Sequence, residues 1–445
     1  MKRFSILLFF SISLPLHANV FQQHSMTTND RGFLFEIHGS NTIGVSLAPA
    51  LVSAWFKHYG FRGITVTNST IENEKIVSAS SSSGQKASVF IAAHGSGTGF
   101  KQIESGRSDI AAASRPAKTS ENDLFPTIDV TGHRHELVLA IDGIAVIINP
   151  DLQIESLTIH QVGQLFSGSI SNWNQLGGPD LPVNVHARDN KSGTFDTFNT
   201  LVLKRGYDLV TTAKRYESND HLSRTVTGTP GAIGFTSLAS IHDAKAVQIT
   251  DGNSAPMSPE HATIATEDYP LARRLFLYQV KTDNAFAADF MEFSKSDAGQ
   301  TIVAEVGFIS QNLQELAMSV SADLPSGYTF IAQKSKRITT NFRFRPGTNE
   351  LDNKALDDLI RLRELIALPE HRHRKLILIG FSDQQRNEFR ARLMSESRVM
   401  MVKRALASHG IVSSALTGYG QINPVATNTD PQYALRNQRV EVWIR

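Results

Sequence analysis

Apolar, β-prone segments alternate with helical patterns along most of this chain, and this alternation limits the folds that it can adopt. It is the signature of α/β units with mainly parallel sheets. The sequence therefore predicts two α/β lobes within 33–320, interrupted by a Ser-rich surface loop at 78–84. The β-like runs are 33–37, 64–66, 89–92, 137–148, 183–186 and 246–249, and the helical patterns are 47–57 and 284–305.

A second, smaller unit follows the lobes. Small residues and Pro325 gather at 321–327, and we expect a linker at 321–335. Residues 336–445 then show short strands and two helical patterns, which predicts a small α+β sandwich. The expected strands are 341–344, 375–379, 416–420 and 439–444, and the expected helices are 351–366 and 387–407.

The first residues have the order of a secretory signal. Lys2 and Arg3 precede the apolar run 4–16, which is shorter than the roughly 20 residues that a membrane span needs. We expect a signal sequence at 1–18, a polar, flexible leader at 19–32, and export to the periplasm. The chain has no cysteine, which excludes disulfides, thiol chemistry and a lipid-modified cysteine.

The charge is unevenly distributed. Lys and Arg number 44 against 42 Asp and Glu, so the net charge of +2 gives no argument for a nucleic-acid partner. From Lys334 onward, however, 20 basic residues stand against 11 acidic ones. This basic C-terminal module suits an anionic polymer, although a solvated face would have the same composition.

Three loops join glycine to Ser or Thr between a β-like run and a helical pattern. They are 39–42 (Gly-Ser-Asn-Thr), 95–99 (Gly-Ser-Gly-Thr-Gly) and 192–194 (Ser-Gly-Thr). Such loops present free backbone N–H groups at helix starts, where the helix dipole stabilises an anion. A single loop of this kind is usually an ordinary turn or cap. Three of them in a two-lobed chain predict a cleft for a tetrahedral oxyanion.

The segment 188–194, Arg-Asp-Asn-Lys-Ser-Gly-Thr, resembles the phosphate-gripping segment of PstS-type phosphate-binding proteins. The flanking runs 166–168, 172–179 and 229–235 are similar to other runs typical of that family, and the resemblance extends over 33–311. It implies a two-lobed periplasmic-binding-protein fold with central mixed sheets. It also implies a protein that binds phosphate without a chemical step and without a cofactor, for which an ABC permease is a candidate partner.

Carried over position by position, the resemblance implies a ligand set drawn from both lobes. Ser114 departs from the pattern, because enterobacterial members have an aspartate there that accepts the phosphate proton and so rejects sulfate. We therefore expect sulfate to be rejected less completely. Arg115 would add a second cation, or is an exposed loop residue. The implied set is Thr42, the backbone at Ile43, Ser96, Ser114, Arg115, Arg188, Ser192, Gly193 and Thr194.

The C-terminal unit resembles the OmpA-like module. Arg398 lies on or beside an apolar helical stripe and needs a partner, for which Asp383 is the nearest candidate. Residues 380–383 stand where the family has Gly-His-Thr-Asp, 437–440 resemble its closing segment, and the two charges are fifteen residues apart, as in that family. The resemblance implies that Asp383 and Arg398 grip the diaminopimelate of peptidoglycan. The alternative is a structural salt bridge in a module without its ligand.

The family's pattern is not complete in this unit, and the sequence leaves alternative functions open. Phe381 replaces a common histidine, and Ala391 a common asparagine. Two His-Arg-His tripeptides, at 133–135 and 371–373, lack an accompanying carboxylate or cysteine cluster, so no metal site is predicted. A wall-associated scaffold or adhesion factor with a degenerate anion site is one alternative function. A phosphatase is another, although the sequence offers it no nucleophile and base pair.

Overall fold

The computed structural model describes residues 19–445 except Lys191, Thr282, Ser319 and Ala322. The expected signal sequence at 1–18 lies outside the described residues. Within the described part, no helix is long and apolar enough to cross a membrane.

The first unit contains thirteen strands and ten α-helices among its described residues. The strands are β1 (Glu36–Gly39), β2 (Arg62–Asn68), β3 (Glu74–Ser80), β4 (Lys86–Ala92), β5 (Ile110–Ala113), β6 (Glu136–Ile148), β7 (Ser156–Thr158), β8 (Asn184–Arg188), β9 (Lys214–Tyr216), β10 (Ala232–Ser237), β11 (Lys245–Ala246), β12 (Gln248–Thr250) and β13 (Ala272–Tyr278). The helices are α1 (Val20–Gln23), α2 (Ala48–His58), α3 (Ser96–Glu104), α4 (Thr119–Asn122), α5 (Ile159–Ser167), α6 (Gly193–Leu201), α7 (Asn219–Gly228), α8 (His261–Ala265), α9 (Ala285–Lys295) and α10 (Asp297–Glu305). A π-helical turn, Ile43–Leu47, leads directly into α2.

Strand β6 joins the two lobes. Its residues 136–143 pair with β13, and its residues 144–148 pair with β10. The main sheet has the order β2-β3-β4-β1-β5-β13-β6-β10-β8-β9, with parallel and antiparallel neighbours. Each lobe has its own core of buried apolar side chains. The predicted two-lobed α/β fold with central mixed sheets is confirmed.

The segment 19–32, which we expected to be a flexible leader, begins with ordered structure. Asn19 caps α1 through its side chain, and Val20 is buried. The ring of Phe21 lies 4.7 Å from that of Phe61 and 5.0 Å from that of Trp55. A few apolar residues in a polar segment are thus enough to dock it on the first lobe.

The Ser-rich segment 78–84 is part strand and part turn, because residues 78–80 end β3 and residues 81–84 lie in the turn that follows. Strands β3 and β4 form an antiparallel hairpin whose last pair is Ser80 with Lys86. The hydroxyls of Ser78 and Ser88 lie 2.8 Å apart across the two strands. The turn at 81–85 lies outside the ladder, so the surface loop is present but shorter than predicted, and it begins after Ser80.

The C-terminal unit is a five-stranded sheet covered by helices. Its strands follow the order β14-β15-β18-β16-β17. The core lies between this sheet and the two long helices. The bounds are β14 (Glu315–Leu316), β15 (Lys336–Phe342), β16 (Leu376–Gly380), β17 (Ser413–Gly418), β18 (Val440–Ile444), α11 (Ser326–Lys334), α12 (Asn353–Ala367), α13 (Glu388–Ser408) and α14 (Pro431–Ala434).

The expected linker at 321–335 is partly ordered structure. Helix α11 occupies most of it, and Tyr328 is buried against Phe381 and Trp443. Strand β14 precedes this segment, yet it pairs with β15. The sheet of the C-terminal unit therefore begins before the predicted linker.

Candidate functional site

Three helix starts from two lobes meet at one place. The first follows β1, the second is the start of α3 after Gly95, and the third is the start of α6, which Ser192 caps by accepting from the N–H of Phe195. The first turn of a helix has unpaired N–H groups and a positive dipole end. Their convergence therefore favours an anion.

Gly193 brings the lobes into direct contact. A Cβ built at this position would lie 1.8 Å from Thr42 Oγ1. No side chain fits at that separation, so the second lobe's loop can approach the first lobe's loop only because it has glycine there. The predicted residues Thr42 and Gly193 are thus brought together.

Arg273 lies at the centre of this meeting point, although the sequence analysis did not select it. Its Nη2 donates to Thr42 Oγ1 at 2.9 Å and to the Gly193 carbonyl at 2.8 Å. Its Nη1 donates to the carbonyl of Ser114 at 3.4 Å. One guanidinium therefore connects loops from both lobes.

A carboxylate from the neighbouring strand faces Arg273. Asp142 Oδ2 lies 3.2 Å from Arg273 Nη2, and the two residues are register partners in β6 and β13. Burial raises the pKa of Asp142 and lowers the pKa of Arg273, because both groups lose water and their mutual attraction only partly compensates. An additional anion beside Arg273 would stabilise its charged form. The sequence signal that could have revealed this pair was a lone aspartate within the apolar run 137–148, together with arginines at the start of the apolar strand β13.

Two serines line the first-lobe side of the site. Ser96 Oγ accepts from the backbone N–H of Ser114 at 3.1 Å, and the two hydroxyls are 3.3 Å apart. Ser114 Oγ also lies 3.5 Å from Asp196 Oδ2, at the start of α6. A carboxylate thus stands next to the position where the sequence lacks one, but it comes from the other lobe.

The two predicted arginines have different surroundings. Arg115 forms a forked ion pair with Glu121, both N···O distances being 2.7 Å, and this bond raises its pKa. Arg188 donates to the carbonyls of Tyr216 at 3.2 Å and Glu217 at 2.6 Å, and to the side chain of Asn219. Burial lowers the pKa of Arg188, since these three partners carry no charge.

A cavity of about 1740 Å³ opens at this site. Thr42, Ile43, Arg188 and Thr194 are not among its lining residues, although Thr42 contacts Arg273 at its wall. Phe344 and Arg345 of the C-terminal unit also line it. The predicted residues that line the cavity are Ser96, Ser114, Arg115, Ser192 and Gly193.

The second predicted site lies on the C-terminal unit. Asp383 follows β16 and accepts from Gln385 Nε2 at 3.0 Å. Arg398 is buried on α13, and its Nη1 has no hydrogen-bond partner among the described residues. Burial lowers the pKa of Arg398, and the charge of Asp383 opposes this effect. The two side chains thus interact electrostatically, while part of the guanidinium is left for another acceptor.

Phe381, which stands where the resemblance expects histidine, is a buried core residue. The guanidinium of Arg439 lies 4.0 Å from its ring centroid. Of the His-Arg-His tripeptides, His133 pairs with Asp357 at 2.8 Å and His371 with Glu315 at 3.2 Å. In the described ranges, no group of three or more His, Asp or Glu side chains could hold a metal ion.

Comparison with protein families gives two matches along the chain. The model described as a PBP superfamily domain matches residues 63–298, and the OmpA family model matches residues 343–438. Both matches fall where the sequence analysis placed its two resemblances.

Curated relatives match the first unit. The chain is 29% identical over 228 residues to the phosphate-binding protein PstS of Bacillus subtilis, which covers 50% of this chain and 71% of that protein. It is 31% identical over 252 residues to protein SphX of Synechocystis, covering 53% and 74% respectively. Among solved structures, an ABC-type phosphate transport receptor from Vibrio cholerae has 26% identity and a TM-score of 0.49, covering 62% of this chain and 99% of that one.

Proposed function

We propose, because this chain belongs to the PBP superfamily, that it binds inorganic phosphate between its two lobes without transforming it. The observation that carries the proposal is the convergence of three helix starts and the buried Arg273 on one cavity. The relatives described as phosphate-binding proteins support the choice of phosphate among tetrahedral anions.

The donors in the cavity suit a doubly charged oxyanion. Ser96 and Ser114 supply hydroxyls, and the helix starts supply backbone N–H groups. Hydrogen bonds between an anion and such donors are stronger than neutral ones. Arg188 lies outside the cavity lining, and Asp189 partly offsets its charge, so its contribution to anion binding stays a prediction of the resemblance.

The binding test is calorimetry on the full chain without residues 1–18. Wild-type protein should bind phosphate, and Arg188→Ala should bind it at least about 10-fold more weakly, which corresponds to a loss of about 1.4 kcal/mol. The exposed Arg62→Ala serves as the control and should bind like the wild type. No measurable heat at millimolar phosphate would contradict the proposed function.

Asp196 bears on the choice between phosphate and sulfate. A carboxylate can accept the proton of hydrogen phosphate but only repels a fully ionised sulfate. Ser114 alone predicts weak discrimination. The 3.5 Å separation between Ser114 Oγ and Asp196 Oδ2 supports a different proposal, in which Asp196 supplies the missing acceptor.

Competition between the two anions tests this role of Asp196. We expect sulfate to compete poorly in the wild type and the phosphate preference to fall at least about 10-fold in Asp196→Asn, because the amide no longer repels sulfate. Asp208→Asn, an exposed change in the same lobe, is the matched control. A preference that is unchanged in Asp196→Asn would exclude Asp196 as the discriminating group.

We also propose that the C-terminal unit attaches the protein to peptidoglycan without covalent bonds. The OmpA family match supports this, as do the partly unpaired, buried Arg398 and the nearby Asp383. A zwitterionic ligand such as diaminopimelate would place its carboxylate at Arg398 and its amine at Asp383. With a signal sequence at 1–18, such attachment would keep the protein in the periplasm, where it could deliver phosphate to an ABC permease or report its concentration.

Pull-down with purified peptidoglycan tests the attachment. Asp383→Asn and Arg398→Gln should each abolish retention of the full chain, because either change leaves a ligand charge unmatched. Arg392→Gln, an exposed change on the same helix, is the control. The melting temperature should move by only a few degrees in all three. Retention that is unchanged in both site variants would refute the proposed contact.

A further inference from the structure

The C-terminal unit forms many hydrogen bonds with one short segment of the first, anion-binding unit (the binding unit). This segment is residues 266–270, just before β13. Arg436 donates to the carbonyls of Glu267, Tyr269 and Pro270 at 2.6 to 2.8 Å. Asn341 donates to the Thr266 carbonyl and to Asp268. The segment therefore has most of its polar groups paired with the C-terminal unit.

The same segment carries two buried acids that face arginines of the C-terminal unit. Asp268 pairs with Arg337 at 2.8 Å, and Glu267 lies 3.4 Å from Arg343. Glu267 has a φ of 58°, which is strained for a residue with a side chain. Such strain persists where the surroundings fix the backbone. The contact between the units is thus a specific interface, made by buried ion pairs and a fixed backbone.

Strand β13 continues from this segment with Arg273 and Arg274. Both arginines line the anion cavity. Arg273 joins the loops at Thr42 and Gly193, whereas Arg274 forms a forked ion pair with Glu267 and a third bond, at 2.8 Å, to Asp352 of the C-terminal unit. The arginine that joins the anion-binding loops and the arginine of the inter-unit contact are therefore neighbours in β13.

The C-terminal segment 343–353 completes this link. Phe344 and Arg345 line the anion cavity. Asn353 accepts from Arg345 and donates to Glu136 at 2.7 Å, at the start of the lobe-joining strand β6. The start of α12 thus contacts both β6 and β13.

We propose that the C-terminal unit is a working part of the anion site, with Arg274 and Asp352 as positioning residues that set Arg273 through strand β13. The inference rests on the proposed phosphate function and deepens it. It differs from a simple tether, in which removal of the inter-unit contact would leave anion affinity unchanged. Coupling between two such sites typically changes affinity by about 5- to 150-fold.

Asp352→Asn tests the ion pair between Arg274 and Asp352. Asp352 Oδ1 caps α12 by accepting from the N–H of Ala355 at 2.8 Å, and asparagine is an equally good cap. The substitution therefore removes only the carboxylate that faces Arg274. Asp430→Asn is the matched control, because Asp430 caps α14 in the same unit.

Calorimetry with inorganic phosphate on the full chain should show at least about 5-fold weaker binding by Asp352→Asn and wild-type binding by Asp430→Asn. Equal affinities in Asp352→Asn and the wild type would overturn the inference while leaving the proposed function intact. If wild-type protein binds no phosphate, the proposed function fails and the inference falls with it.

Hydrogen exchange gives a second readout that does not depend on a folded variant. Because coupling is reciprocal, phosphate should slow amide exchange in 343–352 of the wild type. A purely structural contact predicts no such change, since the anion would bind without altering that segment. Unchanged exchange at saturating phosphate would overturn the inference even if Asp352→Asn failed to fold.

Discussion

Arg273 and Arg188 differ in what surrounds their charges. Arg273 is paired with Asp142 inside the protein, while Arg188 is held by carbonyls and an amide. Arg273 therefore positions the two loops as well as supplying a charge, because its guanidinium donates to both Thr42 and Gly193. A lysine carries the same charge as arginine but lacks the planar fork.

Arg273→Lys should weaken phosphate binding by about 10-fold or more, because the ammonium can still face Asp142 but cannot hold both loops. Calorimetry measures the loss, and Arg62→Lys on the exposed face of β2 controls for the substitution. Affinity equal to that of the wild type would mean that charge alone is required at this position.

The candidate site could be predicted from the sequence only where its residues are local. Loops of Gly and Ser before helices are recognisable as short sequence motifs, so Ser96, Ser192 and Gly193 were predicted. Arg273 and Asp196 were missed because their role depends on which strands and lobes become neighbours. Register and lobe closure are long-range properties that no short motif encodes.

Among the elements, α1 is the one that the sequence analysis misjudged most. Its single turn cannot be stable alone, since short helices are marginal in water. It is held by Phe21, which packs against Trp55, Tyr59, Phe61 and Phe286.

Phe21→Ala should lower the free energy of unfolding by at most about 3 kcal/mol. This value is the lower end of the range for fully buried phenylalanines, and it applies because the ring of Phe21 is only partly buried. The expected shift in melting temperature is a few degrees downward, measured by calorimetry. Phe389→Ala provides the comparison, because this ring is 78% exposed. Equal shifts in the two variants would indicate that α1 is not part of the core.

The other element differences have a common physical cause. Ser78–Ser80 belong to a Ser-rich run, and α11 begins among the small residues that follow Pro325, so composition alone predicted a loop and a linker. In the hairpin, pairing along the neighbouring strand decides the structure. In α11, the burial of Tyr328 against the C-terminal sheet does so. Tertiary contacts override local propensity in both places.

At the scale of the whole molecule, the basic excess of the C-terminal unit has a partner within the chain. Four of its arginines, three of them buried and Arg436 half-buried, surround Glu267 and Asp268 of the binding unit. The four are Arg337, Arg343, Arg436 and Arg439. Part of the charge asymmetry that suggested an anionic polymer therefore serves the contact between the two units.

This interface predicts an acid-dependent loss of stability. Neighbouring arginines overcome the desolvation of Glu267 and Asp268 and hold both pKa values below their usual range. A carboxyl whose pKa is lower in the folded state stabilises the fold fully above its unfolded pKa, which is about 4. That contribution is lost as the pH falls below this value toward the folded pKa.

Glu267→Gln isolates the effect, because glutamine keeps the shape of the side chain but cannot ionise. At pH 7 the variant should melt well below the wild type, since Arg274 and Arg343 each lose one of their two carboxylate partners. Between about pH 5 and pH 3 the wild type should lose stability faster, so the difference between the two melting temperatures narrows. Other buried acids such as Asp142, whose pKa is raised, titrate alike in both proteins and cancel in this difference. A difference that stays constant from pH 7 to pH 3 would show that the charge of Glu267 does not hold the two units together.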